Sequence, residues 1–175
     1  MPSATIKRQT IENGQLEQSL TELSRLKEEL RHQAYHDPLT GLANRALFSQ
    51  ALGERLGSLA RRSELDEESS GSGATTVTPK PPVVLFLDLD DFKVVNDTVG
   101  HSAGDRLLQG VAERIVAAIR DDDLAARLGG DEFAVLLADG PDVERATLIA
   151  DRVAASLQLP FQLGEREFTV GARIG

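Results

Sequence analysis

Two short apolar runs, Ala125-Ala126-Arg127-Leu128 and Phe133-Ala134-Val135-Leu136-Leu137, are separated only by Gly129-Gly130-Asp131-Glu132. Runs this short joined through a glycine pair predict a β-hairpin, because glycine reaches the positive φ that tight turns demand. The turn then carries two adjacent carboxylates at its tip. Carboxylate oxygens suit a hard cation such as Mg²⁺, and a bare glycine backbone lets a bulky phosphate ligand come close. A solvated acidic turn is the plain alternative.

A second segment bears on that choice. Val83-Val84-Leu85-Phe86-Leu87-Asp88-Leu89-Asp90 follows Pro81-Pro82 and is almost continuously apolar. It predicts a strand buried on both faces, interrupted near its end by Asp88. An unpaired ionised carboxylate in such a place costs several kcal/mol, about 2–7 even for a neutral polar group, so Asp88 needs a cation or a strong donor. A salt bridge to Arg127 or Lys93 would serve. A divalent metal shared with Asp131 would serve as well. Downstream, Asn96, Asp97, Gly100, His101, Gly104 and Asp105 read either as turn and cap residues or as groups that recognise a base, since Asn both donates and accepts and Asp accepts from ring N–H groups.

Taken in order, Asp37-Pro38-Leu39-Thr40-Gly41-Leu42-Ala43-Asn44-Arg45, Asp88-Leu89-Asp90-Asp91-Phe92-Lys93, Asn96-Asp97, Gly100-His101, Gly104-Asp105 and Arg127-Leu128-Gly129-Gly130-Asp131-Glu132-Phe133 resemble the GGDEF diguanylate cyclases. The likeness is collinear over roughly residues 36 to 175. It implies an α+β fold, a palm-like mixed β-sheet flanked by helices of the nucleotide cyclase and polymerase type. It also implies condensation of two GTP to cyclic di-GMP with release of pyrophosphate, the 3′-hydroxyl of each GTP attacking the α-phosphate of the other. Carried over by motif position, Asp88, Asp131, Glu132 and the backbone carbonyl of Leu89 would bind Mg²⁺ (or Mn²⁺). Asp88, Asp131 and Glu132 would be catalytic, Glu132 by supporting the metal or helping to deprotonate the attacking hydroxyl. Asn96 and Asp105 would recognise guanine, Lys93 would neutralise phosphate charge, and Gly129 and Gly130 would line the substrate. Arg120 and Asp123 match the Arg-x-x-Asp pattern of the family's inhibitory product site, with Arg152 as a supporting arginine; an Arg at a helix end followed by an acidic turn is the alternative.

Composition limits the partners. The chain has 175 residues, no cysteine and a formal net charge of −9. It therefore lacks disulfide and thiol chemistry. The acidic balance argues against nucleic acid, and an anionic nucleotide would need metal ions or a local basic patch. No apolar stretch approaches the ~20 residues that span a bilayer, and Met1-Pro2-Ser3-Ala4 opens no signal-peptide core. A cytoplasmic protein with no direct membrane insertion is expected.

Three zones follow along the chain. Residues 1–35 are expected to be a signalling helix: Leu16, Leu20, Leu23 and Leu30 recur at alternating four- and three-residue steps, with Lys27 at the remaining seam position. That pattern predicts a coiled coil, hence a homodimer, although a helix packed on its own domain would also show one stripe. Residues 36–175 are expected to form the GGDEF domain. Within it 63–80 reads as a flexible insertion, Arg45–Arg62, Ala103–Arg120 and Asp142–Leu157 as helices, and Glu167–Ile174 as one alternating strand.

Each domain would hold one GTP and the product is two-fold symmetric, so two domains must meet, which gives the coil a role. The resemblance further implies an incomplete C-terminus, since the family continues into a helix and basic phosphate ligands. An upstream sensor and a downstream EAL phosphodiesterase domain would then belong to a longer parent protein. Arg173 departs from the small hydroxyl residue usual before Ile-Gly. A catalytically weak module that binds GTP or cyclic di-GMP for regulation is the competing expectation.

Overall fold

Residues 4–68, 80–138, 140–164 and 166–175 are described by the computed structural model, and the chain divides into two units, Met1–Tyr35 and His36–Gly175. The first unit is a single helix, α1 (Ala4–Tyr35). Leu20, Leu23, Leu26 and Leu30 are all exposed on it. Arg25 lies between Glu22 at 3.1 Å and Glu29 at 3.5 Å, pairings one turn apart along the same face.

The second unit is built on side-chain alternation along β1 (Val83–Leu89). Leu85, Leu87 and Leu89 are buried, whereas Phe86 between them is 54% exposed. The expectation of a strand covered on both faces is thus corrected. An apolar run reads the same whether one face or two are covered, and here the second face is covered only in part.

The covering elements explain why. After α2 (Arg45–Glu68) and β1 come α3 (Phe92–Val99), α4 (His101–Ala118), β2 (Leu124–Gly129), β3 (Glu132–Leu137) and α5 (Val143–Leu157). The chain ends in β4 (Phe161–Leu163), β5 (Arg166–Phe168) and β6 (Ala172–Ile174). The main sheet has the order β2-β3-β1-β6. Its ladders are antiparallel, and a parallel contact enters through the isolated bridge between Ala43 and Ala126. One face packs against α4 and α5 through Leu107, Val111, Ile115 and Val153, all with no exposed surface. Each such side chain stabilises the fold by about 1.5–3 kcal/mol through burial. The other face receives α2, where Phe48, Leu47 and Leu52 meet Ala126, Ala134 and Leu136. That helix covers β2 and β3 and leaves Phe86 on β1 open.

The α+β architecture expected from the sequence is present. The expected strand 167–174 is divided. Arg166–Phe168 pairs with β4 in a separate hairpin, and Ala172–Ile174 pairs with β1. The division occurs where the Gly171 carbonyl accepts the Asp90 N–H at 2.9 Å, drawing the chain across to β1. Helix α2 runs on to Glu68, past the start of the expected insertion, and the remainder of that insertion at 69–79 lies outside the described residues.

Candidate active site

The hairpin closes at Gly130-Asp131, between β2 and β3. Gly129 adopts φ 145° and Gly130 φ 56°, conformations that residues with side chains rarely take. Apart from the adjoining residues, no heavy atom lies within 4 Å of where a Cβ would stand on either glycine, so the turn is open to an approaching ligand.

Arg127 holds this turn from beneath. Its Nε and Nη2 donate to the Gly130 carbonyl at 2.9 and 2.8 Å. Its Nη1 lies 3.2 Å from Asp37 Oδ1, in a pair of which 14% and 18% of the side chains is exposed. Asp37 in turn accepts from the amide of Thr40 at 2.9 Å and its hydroxyl at 2.7 Å. Burial alone would push the Asp37 carboxyl up, but the two Thr40 donors and Arg127 outweigh it and hold the carboxyl below its ordinary range. Two residues beyond Leu42, Asn44 caps α2 by accepting from the amides of Ala46 and Leu47 at 2.9 and 3.1 Å. The Arg45 Nε then reaches the Leu128 carbonyl at 3.2 Å and its Nη2 lies 3.5 Å from Glu132 Oε2. The segment from Asp37 to Arg45 is thus the bracket of the acidic turn.

Asp88 stands directly across the β1–β3 ladder from Glu132. The Leu89 N–H donates to the Asp131 backbone carbonyl at 3.4 Å, which ties the end of β1 to the turn. Asp88, Leu89, Asp131 and Glu132 therefore meet at one end of the sheet. The partner of Asp88 is neither Arg127 nor Lys93. Arg173, opposite Asp88 in the β1–β6 register, donates from Nη2 to Asp88 Oδ1 at 2.8 Å. The same guanidinium places Nε 2.9 Å from Asp90 Oδ1. Arg45, Phe86, Asp88, Glu132 and Arg173 line a groove of about 550 Å³ on the uncovered part of the sheet.

Among the described residues, no three carboxylate or imidazole side chains cluster closely enough to hold a metal ion alone. The donors that β1 and the turn bring to this end of the sheet are the carboxylates of Asp88, Asp131 and Glu132 and the Leu89 carbonyl. That set fits Mg²⁺, which keeps several waters and is usually held by one or two carboxylates plus substrate phosphates.

The base-reading candidates sit apart, on α3 and α4. Asp91 enters α3 at φ 57°, in the left-handed region, and so turns the chain sharply out of β1. Lys93 is exposed on the first turn of α3, and Asp105 is exposed on α4. Asn96 lies against Gly104: a Cβ there would come within 2.9 Å of Asn96 Cγ and 3.3 Å of the Phe92 ring. The sequence sets Asp90, Asp91 and Arg45 inside the matched motifs without giving any of them a role, since each acts through a partner distant in sequence or through its backbone.

Arg120, Asp123 and Arg152 gather elsewhere. The carboxylate of Asp123 accepts the Arg120 N–H at 3.1 Å and the Ala138 N–H at 2.7 Å. The Arg152 Nε donates to the Ala118 carbonyl, at the end of α4, at 2.6 Å. Ala138 follows β3 and Glu132 opens it, so this cluster and the acidic turn lie at opposite ends of a six-residue strand, about 20 Å apart at ~3.3 Å per residue.

Comparison with known proteins agrees with the geometry. The family model "Diguanylate cyclase, GGDEF domain" matches residues 34–175. Diguanylate cyclase TpbB of Pseudomonas aeruginosa (strain UCBPP-PA14) is 44% identical over 145 residues, covering 81% of this chain. The chain spans only 30% of that relative's length. The solved GGDEF domain of TpbB from P. aeruginosa (PAO1) superimposes with a TM-score of 0.62 at 41% identity, covering 81% of this chain and 73% of that one. A structure of the coiled coil and GGDEF domain of DgcB from Caulobacter crescentus, in complex with c-di-GMP, gives a TM-score of 0.65 at 27% identity over 93% of this chain and 80% of the other. The match across four-fifths of the sequence, with Gly129-Gly130-Asp131-Glu132-Phe133 on the turn where it meets Asp88, makes this chain a member of the GGDEF family.

Proposed function

We propose that the unit His36–Gly175 is a diguanylate cyclase domain that condenses two GTP to cyclic di-GMP and pyrophosphate. The observation that carries this reading is the meeting of Asp88 with the acidic turn, through the Asp88–Glu132 register and the Leu89 to Asp131 hydrogen bond. Asp88, Asp131 and the Leu89 carbonyl would hold a divalent metal, Mg²⁺ or Mn²⁺, with Glu132 beside them. Such a metal, when bound, supplies positive charge that favours ionisation of the attacking hydroxyl and stabilises the departing pyrophosphate. Glu132, exposed and opposite Asp88, is the group to accept the proton of the 3′-hydroxyl. Lys93 meets phosphate at the start of α3, where the helix N-terminus also favours an anion. Asn96 and Asp105 orient guanine by hydrogen bonds to its edge.

Two such units must face each other, because each contributes one GTP to a symmetric product. Helix α1, with four exposed leucines, supports a parallel coil as the means of pairing them. Among the described residues, no helix is long and apolar enough to cross a membrane.

A second reading is a weakly active module that binds GTP or cyclic di-GMP for regulation. It is favoured by one observation, the hold of Arg173 on Asp88. Cyclic di-GMP formation from GTP and Mg²⁺ distinguishes the two. Turnover that disappears in Asp88→Asn and Asp131→Asn supports the cyclase; nucleotide binding without turnover in the wild type supports the module.

A further inference from the structure

Two carboxylates beside the acidic turn share one counter-ion. Arg173 faces Asp88 across the β1–β6 ladder and meets its Oδ1 at 2.8 Å, while its Nε meets Asp90 Oδ1 at 2.9 Å. Asp90 comes within reach because its N–H is bound to the Gly171 carbonyl at 2.9 Å, and Gly171 has no side chain in the way. A Cβ on Gly171 would stand 2.7 Å from Asp90 Oδ2. The fork of the guanidinium is therefore divided between two carboxylates by the backbone around it.

This tie is built to be broken. The Arg173 side chain is 76% exposed, with Asp88 at 45% and Asp90 at 41%, and ion pairs this open to water are weak. A doubly charged cation on Asp88 outcompetes one guanidinium for the same oxygen. A guanidinium so displaced stays on the wall of the groove that Asp88 and Glu132 also line, where Arg45 is the other cation. Its planar donors match phosphate oxygens in pairs, which a serine at this place cannot do.

We infer that Arg173 is an exchangeable counter-ion, which a divalent cation must displace from Asp88 and which then turns to the phosphates of the bound nucleoside triphosphate. The inference rests on the metal and nucleotide reading above and adds a residue to it. Arg173 acts on the metal through Asp88 and on the nucleotide directly, with opposite signs.

The test is that reversal of sign. Mn²⁺ binding to the nucleotide-free protein is measured by electron paramagnetic resonance, and a non-hydrolysable GTP analogue is titrated at saturating Mg²⁺ by calorimetry. Arg173→Ser should bind Mn²⁺ about two- to fivefold more tightly, and the analogue about two- to fivefold less tightly, the range set by exposed charge pairs. Arg173→Lys, with the charge but not the fork, should fall between. Arg166→Ser makes the same change of net charge on β5 and should leave both affinities near wild type. Unchanged Mn²⁺ affinity in Arg173→Ser overturns the exchange, as does an analogue affinity that does not fall, or an equal effect from Arg166→Ser. Wild-type protein that binds neither probe sinks the metal and nucleotide reading itself.

Discussion

Arg127 and Asp37, 90 residues apart in sequence, form a mostly buried pair at 3.2 Å, and the same guanidinium holds the Gly130 carbonyl at the turn. One arginine thus fixes the acidic turn to the Asp37–Thr40 loop. The geometry of the turn that carries Asp131 depends on a carboxylate in the Asp37–Thr40 loop.

Asp37→Asn should cost about 2 kcal/mol at pH 7, the scale of a hydrogen bond to a charged group. For a domain of this size that lowers Tm by about 4–8 °C. The Asp37 carboxyl is held below its ordinary range, by Thr40 and Arg127 against the opposing effect of burial. Its contribution is therefore fully present above the unfolded-state pKa, about 4, and is lost as pH falls through the lower folded value. Urea melts at pH 7 and at pH 3 should show the gap between wild type and variant narrowing in acid. A gap of equal size at both would mean that the charge of Asp37 is not what secures the loop.

Gly104→Ala separates stability from recognition. Alanine in the interior of α4 gains about 0.5–1 kcal/mol over glycine. The new Cβ, however, would stand 2.9 Å from Asn96 Cγ, so the Asn96 side chain must swing away. The melting temperature should change little, while affinity for a GTP analogue falls about tenfold, the loss of a base hydrogen bond or two. An unchanged affinity would detach Asn96 from guanine.

Much of this was legible in the sequence, and what was not has a common cause. The hairpin at Gly129-Gly130 and the helices on α4 and α5 follow from periodicity and glycine, which are local signals. The partner of Asp88 was not legible. Arg173 is 85 residues away and reaches Asp88 only because β6 pairs with the free edge of β1. The break between β5 and β6 was hidden for a similar reason: Phe168, Val170, Ala172 and Ile174 alternate without interruption, and the strands part through pairing with β4 and β1 and the Asp90 to Gly171 hydrogen bond. Exposure of Phe86 depends on how far α2 extends across the sheet, which its own strand does not encode. Asp91 at φ 57° is a backbone event, and Asp at that place reads as one more acid in a run.

The leucines of α1 carry the next expectation. Leu20 and Leu23 are exposed on α1, and each leucine buried in a coil contributes about 1.5–3 kcal/mol. Replacing both by Lys removes four such contributions from a dimer and adds repelling charge. Sedimentation should then show monomers at micromolar concentration, with cyclic di-GMP formation reduced and Mg²⁺-dependent binding of the GTP analogue intact. Dimers that persist in the double variant would move the association to another surface.

At the far end of β3, Asp123 serves the fold whatever else it binds. Its carboxylate takes two backbone amides, Arg120 N–H at 3.1 Å and Ala138 N–H at 2.7 Å. Asp123→Ala leaves both without that acceptor and should cost about 2 kcal/mol. The Arg120 side chain is exposed, and its removal should change stability by less than about 0.5 kcal/mol. The two variants therefore read different things. If this cluster holds cyclic di-GMP, Arg120→Ala should weaken product binding about 10- to 100-fold, the scale of a charge-assisted contact to phosphate, at an unchanged Tm. Asp123→Ala should lose binding and stability together, so it cannot decide the matter alone. Calorimetric titration of cyclic di-GMP into Arg120→Ala is the deciding measurement: wild-type affinity there would leave Asp123 as the lock of a turn and the cluster without a ligand.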